Sequence, residues 1–174
     1  MILDQINKDK ALVRDLDRYF DFKIESISTL LDRWNLKCHQ EVRVFGSDAG
    51  GGLFGVVGQG DICQLPVLYL SSEGESGIIA NSLKDFFELI VFLPAWRDAI
   101  FCETESEIVK RANEGEQDMT EMLEGLPIKK QKISGLLSLN GDLVIKKLND
   151  SIKKAESVEV WGDNGENFGS LFEY

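Results

Sequence analysis

The chain has 174 residues, with 19 basic and 30 acidic side chains and a formal net charge of −11. That surplus of acid argues against binding a nucleic-acid backbone, which needs Lys and Arg to neutralise phosphates. It also argues against docking on an anionic membrane surface, and favours a basic partner or simple solubility.

The length predicts one domain over residues 1–174 with a real core. Met1 to Lys10 shows no basic stretch followed by an apolar run, which predicts no secretory signal. The most apolar segment, Phe86 to Trp96, contains Glu88 and Pro94 and is too short to span a bilayer. Cys38, Cys63 and Cys102 are odd in number and far apart, which fits reduced thiols in a cytoplasm better than a disulfide scaffold.

In chain order, residues 8–34 predict two helices. Leu12, Leu16, Tyr19 and Phe20 form one helical stripe, and Ile24, Ile27, Leu31 and Trp34 repeat it, with Arg14, Asp15, Asp17, Asp32 and Arg33 facing water. The period then changes to two: Val42 and Val44 alternate with Glu41 and Arg43, a half-buried strand. Gly46 to Gly52 predicts a turn, Leu53–Val57 a second strand and Gly58–Asp61 another turn. Val67–Leu70 is apolar throughout and is placed centrally in the sheet. Ser71–Ser76 reads as a polar turn and Gly77–Ala80 as a fourth strand. Such short connections suit antiparallel pairing. A helix capped by Asn81 or Ser82 follows, with Leu83, Phe86, Phe87 and Ile90 on one face and Pro94 at its end.

Beyond Pro94 the chain is acidic: nine carboxylates lie between Asp98 and Glu124, against Lys110 and Arg111. Two short helices are expected there, one opened by the capping-box pair Thr104 and Glu107. From Gly125 to Lys154 lysines dominate, and Leu143, Leu148 and Ile152 predict a last helix. In the tail, Asp163-Asn164-Gly165 predicts a hairpin turn. The tail either closes the sheet, covers an edge strand or meets a partner through Trp161, Phe168 and Phe172.

Familiar catalytic patterns fail at the residue level. His39 is the one histidine available as a general base. Gly46-Ser47-Asp48-Ala49-Gly50 sets its serine one position too early for a nucleophile elbow. Cys38 and His39 are adjacent, without the spacer of common zinc-chelating pairs. Gly50-Gly51-Gly52-Leu53-Phe54-Gly55 satisfies G-x-G-x-x-G, but leads into a strand rather than the helix that a dinucleotide site requires. Glu73 and Glu75 sit among serines and glycines, the composition of a solvated turn. The acidic stretch reads either as a solvated helical face or as a docking surface.

One ordered series is more specific than its parts. Phe45-Gly46-Ser47-Asp48, Gly50-Gly51-Gly52-Leu53-Phe54, Leu65-Pro66-Val67-Leu68-Tyr69-Leu70, Glu73-Gly74-Glu75 and Ile79-Ala80-Asn81-Ser82-Leu83-Lys84-Asp85-Phe86-Phe87 follow one another. The series resembles the SUKH superfamily, the Smi/Knr-like proteins, which includes the yeast cell-wall-synthesis regulator and many bacterial immunity proteins. Many members carry a Trp soon after the glycine strand, where this chain has Gly55-Val56-Val57-Gly58. Residues 98–174 carry no part of the resemblance.

The resemblance implies an α+β fold, with N-terminal, middle and C-terminal helices around a mainly antiparallel sheet. It implies a cytoplasmic immunity protein that binds and neutralises a cognate secreted toxin, such as a nuclease, by stoichiometric binding, without cofactor, metal or catalytic residues. The alternatives are a regulatory scaffold of the same fold and, further off, an enzyme. Gly46, Gly50, Gly51, Gly52, Phe86 and Phe87 read as fold determinants. The expected toxin contacts are Glu73, Glu75, Asp98, Glu103, Glu105, Glu107, Glu114, Glu116, Asp118 and Glu121.

Overall fold

Residues 2–172 are described by the structure, a computed structural model. The side chains of Leu31 and Asp32, expected in the core and in water respectively, lie outside the described residues.

A short helix, α1 (Ile2–Lys8), buries Leu3 and Ile6. Asp9 then opens α2 (Lys10–Phe20) by accepting from the backbone N–H groups of Ala11 and Leu12 at 2.9 and 3.0 Å. The stripe Leu12, Leu16, Tyr19 and Phe20 is buried as expected. The second predicted helix is not formed. Lys23–Thr29 is a strand, β1, and only one turn, α3 (Leu30–Trp34), remains helical. The reason is a bulge. The strand pairs antiparallel with β3 (Val42–Ser47), matching Ile24 to Gly46 and Ser28 to Val44, so three residues span the place of one. That extra length spaces Ile24 and Ile27 by three and imitates a helical stripe.

The remaining sheet is a meander. β4 (Leu53–Val57), β5 (Val67–Leu70) and β6 (Ser76–Ala80) complete the order β1-β3-β4-β5-β6, each pair antiparallel. β5 is an interior strand as expected, and β4 is the middle one. Ser47 and Ser76, expected in turns, are buried strand residues.

Both faces of the sheet are covered. Phe45, Phe54, Val56, Val67, Tyr69 and Ile79 face the helices, and Val42, Val44, Leu53, Val57, Leu68, Leu70 and Ile78 face the opposite core. Burial on both faces explains why β4 and β5 read as continuous apolar runs. Ser82 caps α4 (Leu83–Phe92), accepting from Asp85 N–H at 3.1 Å, and the helix ends two residues before Pro94. Its Phe86 and Phe87 are fully buried and meet Phe22 edge-on, each at 5.4 Å between ring centroids.

The rest of the chain wraps this core. A one-turn helix, α5 (Trp96–Ala99), leads to α6 (Glu105–Met122), one 18-residue helix where two short ones were expected. Its buried side is narrow, Ile108 and Ala112, and so left little apolar signal. α7 (Leu126–Leu137), which the sequence reading missed, has Pro127 in its first turn, and α8 (Val144–Lys154) is the expected last helix.

The tail covers the β6 edge: Leu171 N–H donates to the Ser76 carbonyl at 2.8 Å, and Ile78 N–H to the Glu156 carbonyl at 2.8 Å. Gly165 turns the predicted hairpin with φ 80°, and β7 (Val160–Trp161) pairs with β2 (Lys37–Cys38). Phe168 packs over Gly74 and Phe172 over Gly77, while His39 meets Trp161 edge-on at 4.7 Å.

The basic segment finds carboxylates on several elements. Lys129 and Lys132 reach Asp15, Lys147 reaches Asp85 and Glu88, and among the described residues only Lys130 pairs with the acidic segment, at Glu116.

Candidate functional site

The glycine turn anchors the element that carries the acidic face. Gly51 takes φ +91°, a conformation glycine adopts without strain, and a Cβ at Gly52 would meet the Tyr69 hydroxyl at 2.5 Å. A Cβ at Gly46 would strike the Phe22 ring. Gly50 needs neither space nor positive φ, so its reading as a fold determinant is not supported. The close approach at Gly52 lets Asp48 accept from Gly52 N–H at 2.7 Å, from the Tyr69 hydroxyl at 2.8 Å and from Arg97 at 2.8 Å.

Arg97 also pairs with Asp21 at 3.3 Å, and its guanidinium lies 4.6 Å from the centroid of the buried Trp96 ring. α5 is thereby tied to the sheet through a charged cluster.

Burial is the main cause that pushes the Tyr69 hydroxyl up to about 12, and its bond to Asp48 adds to this against the Arg97 charge. An unfolded tyrosine ionises near 10. The stability from the protonated Tyr69 is therefore fully present below about pH 10 and is lost as pH rises through about 12. Spectrophotometric titration of the phenols is expected to show a component near 12 that Tyr69→Phe removes. A titration that ends near 10 would contradict the cluster.

From this anchor the chain builds an open cleft of about 680 Å³, lined by Asp98, Phe101, Cys102, Glu103, Glu107, Lys110, Arg111 and Glu114. Phe101 is 56% exposed and contributes an apolar surface to this lining. Thr104 opens α6 with both halves of a capping box. Its hydroxyl, followed by its backbone N–H, holds the Glu107 carboxyl below the usual range, so this side of the cleft stays anionic. Burial, then the Glu107 charge, pushes the Cys102 thiol up, which keeps it protonated and weakly nucleophilic at neutral pH. Four carboxylates face two cations, and Lys110 and Arg111 both turn toward Glu114, at 3.8 and 3.6 Å.

Of the ten expected contact residues, Asp98, Glu103, Glu107 and Glu114 are brought together. Glu105 turns to Asn149 at 3.5 Å, and Glu116 is held by Lys130. Asp118 and Glu121 are exposed farther along α6, and Glu121 accepts from Gln117 at 3.2 Å. Glu73 and Glu75 lie in the β5–β6 turn, outside the cleft.

The sequence reading missed Phe101, the neutralising role of Lys110 and Arg111, and the Arg97 anchor. The i,i+4 spacing of Lys110 and Glu114 was the available signal for the second. Among the described residues no three His, Cys, Asp or Glu side chains group to hold a metal ion. No described helix is long and apolar enough to cross a membrane.

Among known proteins, no family model matches the chain, and no curated protein or solved structure does.

Proposed function

We propose that the chain is a SUKH-like immunity protein of the cytoplasm that binds a cognate toxin, a nuclease or similar enzyme, and blocks it by stoichiometric occupation of a basic groove. The observation that carries this reading is the α5–α6 cleft. It brings Asp98, Glu103 and Glu107 into one lining with the exposed Phe101, directly after the Arg97 that ties α5 to the sheet.

An exposed aromatic side chain in a cleft where four carboxylates outnumber two cations suits an arginine- or lysine-bearing surface. The ring supplies buried area and a cation–π face, and the carboxylates supply steering. The antiparallel α+β architecture agrees with the fold that the 45–94 resemblance implies.

The test is co-expression with the protein encoded immediately upstream, scoring growth and then affinity. Asp98→Lys, Glu103→Lys and Phe101→Ala combined are expected to abolish rescue and weaken binding about a hundredfold, with the fold intact. Glu107 is left in place because it caps α6. Glu73→Lys with Glu75→Lys is expected to leave rescue intact, since neither residue lines the cleft. Undiminished protection by the triple variant would refute the site.

A further inference from the structure

The α5–α6 cleft has two unlike ends. Asp98, Glu103 and Glu107 line one of them. One turn farther along α6 than Glu107, Lys110 and Arg111 line the other and share the single carboxylate of Glu114. The first end carries carboxylates alone, and the second holds two cations against one carboxylate.

The groups at each end differ in how firmly they are held. One oxygen of Glu107 is spent on the helix cap, accepting from the N–H groups of Glu103 and Thr104 at 3.2 and 3.1 Å and from the Thr104 hydroxyl at 3.0 Å. Asp98 and Glu103 are exposed. Lys110 and Arg111 stand 3.8 and 3.6 Å from Glu114, longer than hydrogen bonds, and their side chains are 75% and 62% exposed. Exposed ion pairs of this kind contribute little, so both cations are free to change partner.

A uniformly basic surface seated in the cleft would be attracted at the first end and repelled at the second, because one carboxylate does not neutralise two cations. The occupant that complements both ends carries both signs. Resting on the proposed function, we infer that the cleft takes a segment of the toxin in which an arginine or lysine stands about one helical turn, roughly 5 Å, from an aspartate or glutamate. The basic residue meets Asp98 and Glu103, and the carboxylate meets Lys110 and Arg111. Glu114 stands in for that carboxylate while the cleft is empty, and is its competitor when the toxin arrives.

The charge pattern gives a test in which this inference and simple acidic steering have opposite signs. Association and dissociation rates are measured against the protein encoded immediately upstream. Lys110→Gln with Arg111→Gln makes the cleft more acidic, so steering by a basic partner raises the association rate. The dissociation rate is expected to rise at least about tenfold all the same, because the toxin carboxylate has lost both donors. Glu114→Gln removes the competitor and is expected to slow dissociation about threefold, although it lowers the negative charge of the cleft. All three positions are exposed on α6, and thermal unfolding of the variants should match the wild type.

Unchanged or slower dissociation of the Lys110→Gln, Arg111→Gln chain overturns the inference. If the combined Asp98→Lys, Glu103→Lys and Phe101→Ala chain still loses binding, the cleft remains the site and only its second end is refuted. Wild-type binding by that triple variant, or no complex with the upstream protein, overturns the cleft reading and this inference together.

Discussion

Lys147→Met is expected to lower the free energy of unfolding by about 3 kcal/mol, because it strands a buried carboxylate. The Glu88 side chain, on α4, is 3% exposed and accepts from Lys147 on α8 at 2.7 Å and from Asn140 N–H at 3.1 Å. The second acceptor of Lys147 is Asp85 at 2.6 Å. Lys84 stands 4.0 Å from Glu88 with its ammonium in water, too far to replace Lys147.

Replacing both partners removes the stranded charge, so Lys147→Met with Glu88→Leu is expected to recover most of the loss. Urea unfolding of the two variants measures this, and equal losses in both would show that packing rather than charge is at stake. The pair has an alkaline signature. Partial burial opposes the Lys147 charge, but the bonds to Asp85 and Glu88 prevail and raise its pKa above the usual value. That stability is present below the ordinary lysine pKa, about 10.4, and is lost as pH rises through the raised value.

Arg97→Met is the second large effect, and it links stability to the cleft. The Asp48 side chain is 3% exposed and keeps its bonds from Tyr69 and Gly52 in the variant, but loses its counter-charge. The expected cost is about 3 kcal/mol. Asp48→Asn added to Arg97→Met removes the stranded charge while leaving an acceptor for Gly52 N–H, so the double variant should lose less than the single one. Arg97→Lys keeps a cation but not the planar group over Trp96, and an intermediate loss follows.

Arg97 does not line the cleft, yet Arg97→Met is expected to weaken binding of the proposed toxin, because Asp98 on the same helix and Phe101 just beyond it depend on that tie to the sheet. Binding at full strength by a destabilised Arg97→Met chain would show that the cleft holds its shape without this anchor.

The parts of the fold legible in sequence are those with local causes. β3 to β6 and α4 carry apolar runs bounded by turn residues, and the Thr104–Glu107 capping box marks a helix start by spacing alone. What stayed hidden depends on distant pairing. β1 passed for a helix because its bulge, set by the partner β3, changes the repeat from two to three. α6 passed for two pieces because its only deeply buried side chains are Ile108 and Ala112, too few to mark one long apolar stripe.

For the site, composition located the acidic stretch but not its division into free and engaged carboxylates. Glu116 and Glu105 are spent on Lys130 and Asn149, contacts 14 and 44 residues away in sequence. The Arg97–Asp48 tie spans 49 residues and has no sequence signature.

On the proposed function, the cleft around Phe101 receives a basic protein. The most direct measurement is the association rate with the co-purified upstream protein across a salt series, for the wild type and for the combined Asp98→Lys, Glu103→Lys and Phe101→Ala variant. The wild-type rate is expected to fall steeply with salt, and the variant rate to be slow and nearly flat. Matching rates and salt slopes for the two proteins would contradict it.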